Sequence, residues 1–217
     1  MNTEGDITVV VKNAVKRYGE HIVLNNVSLE LRRGTIYGIV GQNGSGKTVL
    51  FKCICGFTKL TEGTVEVMGK IIGKDVDIAQ SVGAIIENPG FLPNYSAYKN
   101  LKFLASLTDK IGDKEILSSI EKVGLNSKDR KKVGKFSMGM RQRLGIAQAI
   151  MENPDILILD EPFNGLDKNG VTHMRNLLLE QKRIGRTVLL ASHNSMDIDI
   201  LCDEVYEMES GKICRLH

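Results

Sequence analysis

The chain has 217 residues, which fits a single domain or one domain with an insertion. Its 29 Lys and Arg against 26 Asp and Glu leave a net charge of only +3, which argues against a dedicated nucleic-acid binder. No apolar run approaches the roughly 18 residues of a membrane-spanning helix, and the amino terminus lacks the features of a signal peptide. We therefore expect a cytosolic protein, whose four cysteines are small buried residues in a reducing compartment.

The first third of the chain is predicted to be rich in strands. Residues 7–11 and 27–31 have the composition of strands, and residues 35–40 form a compact apolar run that leads into a Gly-rich turn. Residues 49–55 are expected to form the body of a helix, and residues 63–72 a strand pair broken at Gly69. The pattern indicates a β-loop-α unit within a β-rich region.

From about residue 95 to 150 the apolar residues recur with helical spacing. This block is expected to be a helical subdomain within residues 89–153, inserted into a core formed by residues 1–88 and 154–217. Three helical faces are predicted, made by Leu101, Phe103, Leu104 and Leu107, by Ile116, Leu117, Ile120 and Val123, and by Leu144, Ala147, Gln148 and Met151.

Strands and helices alternate again in the last part of the chain. A short apolar strand at residues 155–160 ends in acids, and residues 171–185 have the pattern of an amphipathic helix. Residues 187–193 predict a buried strand, and residues 205–216 a hairpin that turns at Ser210 and Gly211. This alternation predicts an α/β fold with a mainly parallel sheet.

Residues 41–48, GQNGSGKT, match the phosphate-binding pattern G-x-x-x-x-G-K-[ST] between a predicted strand and a predicted helix. Glycines let such a loop curl so that its N–H groups point inward at phosphate oxygens. Lys47 is expected to reach the β- and γ-phosphates, and Thr48 to supply a hydroxyl to Mg²⁺. The alternative, a Gly-rich turn with a chance lysine, is disfavoured by the placement between strand and helix.

Two acids follow the strand at residues 155–160. Asp160 ends this strand at the edge of the sheet beside the phosphate loop, where we expect it to hold Mg²⁺ directly or through water. Glu161 is expected to point to the other side and to activate a water for attack on the γ-phosphate. Helix capping or a surface ion pair is the alternative for such acids, and the upstream phosphate loop makes it the weaker one.

Four further motifs resemble those of the ATPase subunits of ABC transporters. FSMGMRQRLGIAQAI (136–150) resembles their signature sequence, and EPFNGLD (161–167) resembles the loop after their Walker B strand. ASHN, with His193, resembles their switch histidine, and KRYG places Tyr18 where an aromatic residue stacks on adenine. A GTPase would need N-K-x-D, which does not occur here. The motifs follow the family's order over residues 18–193, so the resemblance covers essentially the whole chain.

The resemblance implies an ABC-type P-loop NTPase with a RecA-like core, an antiparallel β subdomain and an inserted α-helical subdomain. It also implies ATP and Mg²⁺ as cofactors, and an ATP-dependent homodimer that holds two nucleotides at its interface. Residues at the matching motif positions would bind the nucleotide; they are Tyr18, Val23, Gly41, Asn43, Gly44, Ser45, Gly46, Lys47, Thr48, Val49, Ser137, Gly139 and Asp167.

The same resemblance assigns roles at the interface and in catalysis. Ser137 and Gly139 would contact the γ-phosphate bound by the opposite chain, where the amino end of the signature helix favours negative charge. Asp167 would reach across the interface. His193 would hold the γ-phosphate and the attacking water, with Glu161 as the base.

For single residues, simpler interpretations stay open. Tyr18 fits a surface aromatic residue, and Ser137 fits a plain helix cap. The signature also departs from the usual S-G-G-Q, since Met138 and Met140 replace a glycine and a glutamine, and Lys168 stands where a proline is usual.

Glu87 stands at the end of a predicted strand, where the family has a glutamine that links Mg²⁺ and water to the helical subdomain. This replacement, with S-M-G-M, resembles the ATPases of bacitracin- and lantibiotic-resistance exporters. Glu87 is expected to bind Mg²⁺ and to add a charge beside Asp160 and Glu161, worth about 4 kcal/mol at ~4 Å and an effective dielectric constant of ~20. The alternative is a solvated acid at the end of a strand.

The sequence therefore predicts the ATP-hydrolysing subunit of an exporter for antimicrobial peptides. It is expected to act with integral membrane permease subunits, peripherally on the inner face of the cell membrane. One alternative is a soluble ABC ATPase with a non-membrane partner, such as ribosomes, DNA or cluster assembly. A second is a module that dimerises on ATP without turnover, against which Glu161 and His193 argue.

Overall fold

The computed structural model describes residues 6–216. The expected domain limits at residues 1 and 217, and residues 1–5 of the segment inspected for a signal peptide, lie outside the described residues. The strands are β1 (Ile7–Tyr18), β2 (His21–Arg32), β3 (Ile36–Val40), β4 (Glu62–Val67), β5 (Lys70–Ile71), β6 (Val82–Ile85), β7 (Ile156–Asp160), β8 (Thr187–Ala191), β9 (Glu204–Glu209) and β10 (Lys212–Arg215). The α-helices are α1 (Lys47–Cys55), α2 (Ala97–Ala105), α3 (Asp113–Lys122), α4 (Met138–Ile150), α5 (Lys168–Arg183) and α6 (Ser195–Leu201).

The smaller of two sheets is antiparallel, with the order β2-β1-β4-β5. Its strands β1 and β2 are longer than the predicted segments 7–11 and 27–31, because they continue to a tight turn where Tyr18 pairs with His21. Several register shifts interrupt this pairing and break the polar–apolar alternation that would have revealed the full length. The strand pair broken at Gly69 is confirmed as β4 and β5.

The larger sheet has the order β10-β9-β3-β8-β7-β6. All its neighbouring strands pair in parallel except β10, which pairs antiparallel with β9 and confirms the predicted carboxy-terminal hairpin. The central strands are apolar on both faces, as parallel strands covered on both sides must be. The prediction of an α/β fold with a mainly parallel sheet is confirmed.

Alternate residues of the central strands enter two separate hydrophobic cores. Ile156 and Ile158 of β7 pack with α1 and the antiparallel sheet, whereas Leu157 and Leu159 pack with α4 and α5. Strand β8 divides its side chains between the two cores in the same way. The large sheet is therefore fixed from both faces, which leaves its strand ends as the place where polar side chains meet.

Helices α2, α3 and α4 lie between β6 and β7 in the chain, and most of the predicted helical positions are buried. Phe103 and Leu107 are exceptions, with 56% and 70% of their surface exposed. Leu107 lies beyond the last residue of α2, and Phe103 is only two positions after the buried Leu101, which places it on the other side of the helix. The predicted helical face is therefore confirmed for Leu101 and Leu104 and wrong for Phe103 and Leu107.

The cysteines are also less uniform than predicted. Cys53 and Cys55 are buried in α1, where burial raises the pKa of their thiols to about 11 and about 12. Cys202 is half-buried, but Cys214 is exposed on the edge strand β10. The prediction of a buried thiol is therefore wrong for Cys214, because every second residue of an edge strand faces solvent.

Across residues 6–216, the helices are all too short or too polar to cross a membrane.

Strand β6 lies directly against α4 at Gly83. A β-carbon at this position would stand 1.8 Å from the carbonyl oxygen of Ala149 and 2.9 Å from Cγ of Pro154. We expect Gly83→Ala to lower the free energy of unfolding by about 3 kcal/mol in urea titrations, because backbone must move to admit the methyl group. Gly90→Ala is the matched control, since a β-carbon there meets nothing within 4 Å. Equal losses in both variants would contradict this packing.

Candidate functional site

The carboxyl ends of four adjacent parallel strands meet at one edge of the large sheet, in the order β3-β8-β7-β6. Strand β3 leads into the phosphate loop, β8 is followed by His193, β7 ends at Asp160, and β6 is followed by Glu87. Ligands of open α/β sheets bind at this edge. The topology thus brings together residues that are far apart in the chain.

A cavity of about 440 Å³ opens at this edge. It contains most of the nucleotide-binding residues predicted from the loop, together with the acids of the neighbouring strands. Its lining consists of Val23, Asn43, Gly44, Gly46, Lys47, Thr48, Val49, Glu87, Asn88, Met138, Gln142, Asp160, Glu161 and Asn164.

The phosphate loop has the backbone that its glycines permit. Gly44 and Gly46 have φ of 80° and 111°, in the left-handed region that other residues avoid. A β-carbon at Gly46 would stand 2.8 Å from the carbonyl oxygen of Val23, whereas one at Gly44 would meet nothing within 4 Å and would project into open space. Gly46 thus lets the loop pack closely against the backbone at Val23, and Gly44 lies on the side of the loop that is open to a ligand.

Two features of the loop fit an anion. Helix α1 begins without a side-chain cap, so that its first N–H groups are left for a ligand. Ser45 Oγ is the one buried side-chain oxygen or nitrogen in residues 6–216 that lacks a hydrogen-bond partner. Buried polar atoms are normally paired, and phosphate oxygens are suitable partners for both groups. The residues present therefore fit a nucleotide phosphate chain.

Lys47 is largely buried, with 8% of its surface exposed. Its ammonium donates to the carbonyl oxygens of Gly41 at 2.7 Å and Gln42 at 2.9 Å. The loop therefore stabilises the charge with its own backbone. Phosphate oxygens would be stronger partners for an ammonium than neutral carbonyls.

Thr48 and Asp160 join the loop to the central strand. The Thr48 hydroxyl donates to Oδ2 of Asp160 at 2.7 Å. A hydroxyl and a carboxylate at this separation are suitable ligands for Mg²⁺, which keeps several water or phosphate oxygens in its coordination sphere. Within residues 6–216 there is no group of three or more His, Cys, Asp or Glu side chains placed to hold a metal. The donor set therefore fits Mg²⁺ bound together with a nucleotide.

Glu161 borders the same cavity as Asp160. The alternation of a strand no longer applies, because β7 ends at Asp160 and Glu161 has φ of 50°. The carbonyl oxygen of Glu161 accepts a hydrogen bond of 3.1 Å from the side-chain amide of Gln142. Helix α4 thus fixes the turn at Glu161, and the direction of its carboxylate relative to Asp160 stays a prediction.

His193 lies next to Glu161. Its Nδ1 is 2.8 Å from Oε2 of the carboxylate, and 70% of the imidazole surface is exposed compared with 25% of the Glu161 side chain. The imidazole thus orients the carboxylate while most of its own surface stays open to a ligand.

Glu87 also has a left-handed backbone, with φ of 61°. It borders the cavity, but one carboxylate oxygen, Oε1, lies 2.8 Å from Nζ of Lys52 on α1. The sequence predicted that the Glu87 carboxylate lies near Asp160, and the structure adds Lys52 as a cation that binds this carboxylate.

Several predicted nucleotide contacts do not border this cavity. Tyr18 is half exposed at the end of β1, with the ammonium of Lys16 lying 4.8 Å from its ring centre. Ser137 caps α4 and Asp167 caps α5, each accepting a backbone N–H three residues further along the chain. Gly139 lies in the first turn of α4, where a β-carbon would be 2.6 Å from the carbonyl oxygen of Gly165. The roles of these four residues stay predictions.

Sequence reasoning missed Gln142, Lys52 and the two asparagines Asn88 and Asn164. Gln142 had a detectable signal, since it is a polar residue on the buried face of α4 just after the signature. Lys52 had none, because one lysine on a helix says nothing about the acid it meets.

The hydrogen bond between Thr48 and Asp160 leads to a direct test of the metal site. We expect Thr48→Val to weaken the binding of a non-hydrolysable ATP analogue about tenfold or more in Mg²⁺, because it removes an oxygen ligand. Binding in EDTA should change little. Fluorescence titration measures both affinities, and Thr64→Val, at an exposed position of β4, is the control. Equal losses with and without Mg²⁺ would exclude the assigned role.

Comparison with known proteins agrees with this geometry. The model of the ABC transporter family matches residues 24–164. An uncharacterized ABC transporter ATP-binding protein of Bacillus subtilis (strain 168), YybJ, is 45% identical over 205 residues, which cover 94% of each chain. The bacitracin transport ATP-binding protein BcrA of Enterococcus faecalis is 38% identical over 210 residues, covering 96% of this chain and 68% of BcrA.

The lantibiotic transport ATP-binding protein SrtF of Streptococcus pyogenes is 36% identical over 203 residues, covering 94% of this chain and 87% of SrtF. Among solved structures, a nucleotide-free ATP-binding cassette from an ABC transporter superposes with a TM-score of 0.82 at 27% identity, covering 95% of this chain and 89% of the other. Site geometry, sequence and fold thus lead to one conclusion: the chain belongs to the ABC transporter family, as one of its ATP-hydrolysing subunits.

Proposed function

We propose that this chain powers an exporter of antimicrobial peptides, acting with integral membrane permease subunits at the inner face of the cell membrane. The observation that carries the proposal is the cavity that contains Thr48, Asp160 and Glu161 at the strand ends, with His193 in contact with the Glu161 carboxylate. The peptide class is supported by the similarity to BcrA and SrtF, which are described as bacitracin and lantibiotic transport proteins.

Hydrolysis proceeds by in-line attack of a water on the γ-phosphate. Glu161 accepts the proton of this water, and His193 keeps the carboxylate oriented through the contact of 2.8 Å. The Lys47 ammonium exchanges its two carbonyl partners for β- and γ-phosphate oxygens and stabilises the charge that develops on them. Thr48 and Asp160 would hold Mg²⁺, with Glu87 as a further ligand, and the ion would supply positive charge that neutralises the phosphates.

Two copies of the chain enclose two nucleotides in this mechanism. Ser137 and Gly139 lie at the beginning of α4 without bordering the cavity of their own chain, which supports their contact with the nucleotide of a second copy. The Asp167 side chain is 75% exposed and supports a contact across the interface. Tyr18 is placed to stack on adenine only after its ring is released from Lys16.

A groove of about 940 Å³ is lined by β6 and the loop after it together with residues of α2 and α4, and it supports docking to a permease. Phe57 and Ile78 are both 56% exposed where they line the groove, so a partner would bury two large apolar side chains there. The loop after β6, which contains Glu87, forms the side of the groove that faces the nucleotide. In this loop Pro89 packs on α4 at Gly145, where a β-carbon would stand 2.8 Å from the proline Cγ.

The catalytic role of Glu161 is tested by replacing its carboxylate with an amide. We expect Glu161→Gln to lower ATP turnover by at least about 100-fold, since an amide cannot accept the proton of water. ATP binding should persist, and dimers should accumulate in ATP. Phosphate release and size-exclusion chromatography measure the two effects. Glu180→Gln, on an exposed position of α5, is the control. Unchanged turnover in Glu161→Gln would refute the mechanism.

The docking groove is tested by placing a charge on its apolar lining. We expect Ile78→Glu to lower co-purification with the permease encoded by a neighbouring gene by about tenfold, because an unpaired carboxylate would be buried in the contact. ATP-analogue binding by the isolated chain should be retained. Ile184→Glu is the matched control, since Ile184 is 60% exposed and lies outside the groove. Permease binding that survives Ile78→Glu would refute docking in this groove, whereas permease binding that never occurs favours a non-membrane partner.

A further inference from the structure

Glu87 borders both the nucleotide cavity and the docking groove, whereas Lys52 borders only the groove. Their ion pair, Nζ to Oε1 at 2.8 Å, therefore forms part of the wall between the two spaces. Among residues 6–216, Lys52 is the only cation that pairs with this carboxylate.

Helix α1 connects Lys52 to Thr48, which forms the proposed Mg²⁺ site together with Asp160. Lys52 follows Thr48 by four residues in α1, so the two side chains lie on the same face, about 6 Å apart along the axis. The ammonium thus occupies a fixed position one helical turn from the Thr48–Asp160 hydrogen bond. The carboxylate that pairs with Lys52 belongs to a residue that also borders the cavity containing Thr48 and Asp160.

The backbone of Glu87 limits where its carboxylate can go. With φ of 61° it lies in a region that non-glycine residues seldom occupy, two residues after the end of β6. The pair is partly solvated, with 30% of the Lys52 side chain and 62% of the Glu87 side chain exposed. Exposed ion pairs change an equilibrium constant by up to about fivefold, so a divalent cation can displace this lysine.

We propose that Lys52 is a positioning residue that competes with Mg²⁺ for the carboxylate of Glu87. Without nucleotide, Lys52 holds the carboxylate at the wall of the groove. When Glu87 turns to Mg²⁺-bound nucleotide, the ammonium is left unpaired in the groove where the permease docks. The presence of Mg²⁺ on the nucleotide thereby adds an unpaired positive charge, that of Lys52, to the docking surface. This inference rests on the proposed function, because it requires Mg²⁺-nucleotide in the cavity.

The test compares the affinity for a fluorescent non-hydrolysable ATP analogue in Mg²⁺ and in EDTA. Lys52→Met leaves Glu87 without its cation, so Mg²⁺ gains a ligand and bare phosphates meet an unpaired negative charge. We expect the ratio of the EDTA dissociation constant to the Mg²⁺ dissociation constant to rise about threefold to fivefold. Lys52→Arg should restore the wild-type ratio, since it keeps the positive charge.

Lys110→Met is the matched control, because Lys110 also lines the groove and pairs with an acid, Glu152, at 3.9 Å. It lies outside the nucleotide cavity, so its ratio should equal that of the wild type. A ratio in Lys52→Met that matches Lys110→Met would overturn the proposal.

A double variant separates competition from a direct effect of the lysine on phosphate. In the Glu87→Gln background, Lys52→Met should leave the ratio unchanged, because the carboxylate that it positions is absent. A change of the same size in both backgrounds would show that Lys52 acts on phosphate by itself, and the proposal fails.

Amine labelling followed by mass spectrometry gives a readout of Lys52 itself. Adding the Mg²⁺-analogue complex should raise the labelling rate of Lys52 relative to Lys110 about twofold or more, because an amine released from its ion pair with Glu87 is more accessible to the reagent. No increase would refute release of the lysine. Wild-type protein that does not bind the Mg²⁺-analogue complex would instead refute the proposed function, which separates the two failures.

Discussion

The parallel pairing of β3, β8, β7 and β6 is the constraint on which the site depends. Parallel strands deliver their carboxyl ends to a single edge, so the phosphate loop, His193, Asp160 and Glu87 meet there although they are spread over residues 41–193. Two hydrophobic cores hold the central strands from opposite faces. The rigid sheet sets the spacing of the polar groups, and the loops determine only their final orientation.

Both acids that follow a strand, Glu87 and Glu161, leave it with a left-handed backbone. Such a conformation costs a non-glycine residue about 1–2 kcal/mol. Neighbouring elements hold each turn: Gln142 donates to the backbone of Glu161, and Lys52 binds the side chain of Glu87. Gln142 thus holds the backbone of Glu161 and leaves its carboxylate to pair with His193, whereas Lys52 binds the Glu87 carboxylate itself.

The sequence predicted the α/β class, the phosphate loop and the acids at strand ends, because their patterns reflect local backbone requirements. It did not predict side-chain placements that depend on distant neighbours. The strand alternation that predicted the direction of Glu161 ends one residue earlier, at Asp160, so its placement depends on Gln142 and His193. Phe103 was assigned to one helical face with Leu101 and Leu104, although its position on the helix faces solvent. Lys52 could not be found, since its partner lies 35 residues away.

The contact between Pro89 and Gly145 has a mechanical consequence. A proline ring that rests on bare helix backbone has no side-chain torsion that can absorb a displacement. A displacement of the loop after β6 therefore displaces α4 directly. The signature residues lie at the beginning of this helix. A residue larger than glycine at position 145 would push the loop away from α4. A flexible residue in place of Pro89 would absorb part of the loop's movement by rotating its side chain. In the proposed dimer, the stiffness of this contact sets how closely movement beside one nucleotide is coupled to the signature residues of the same chain.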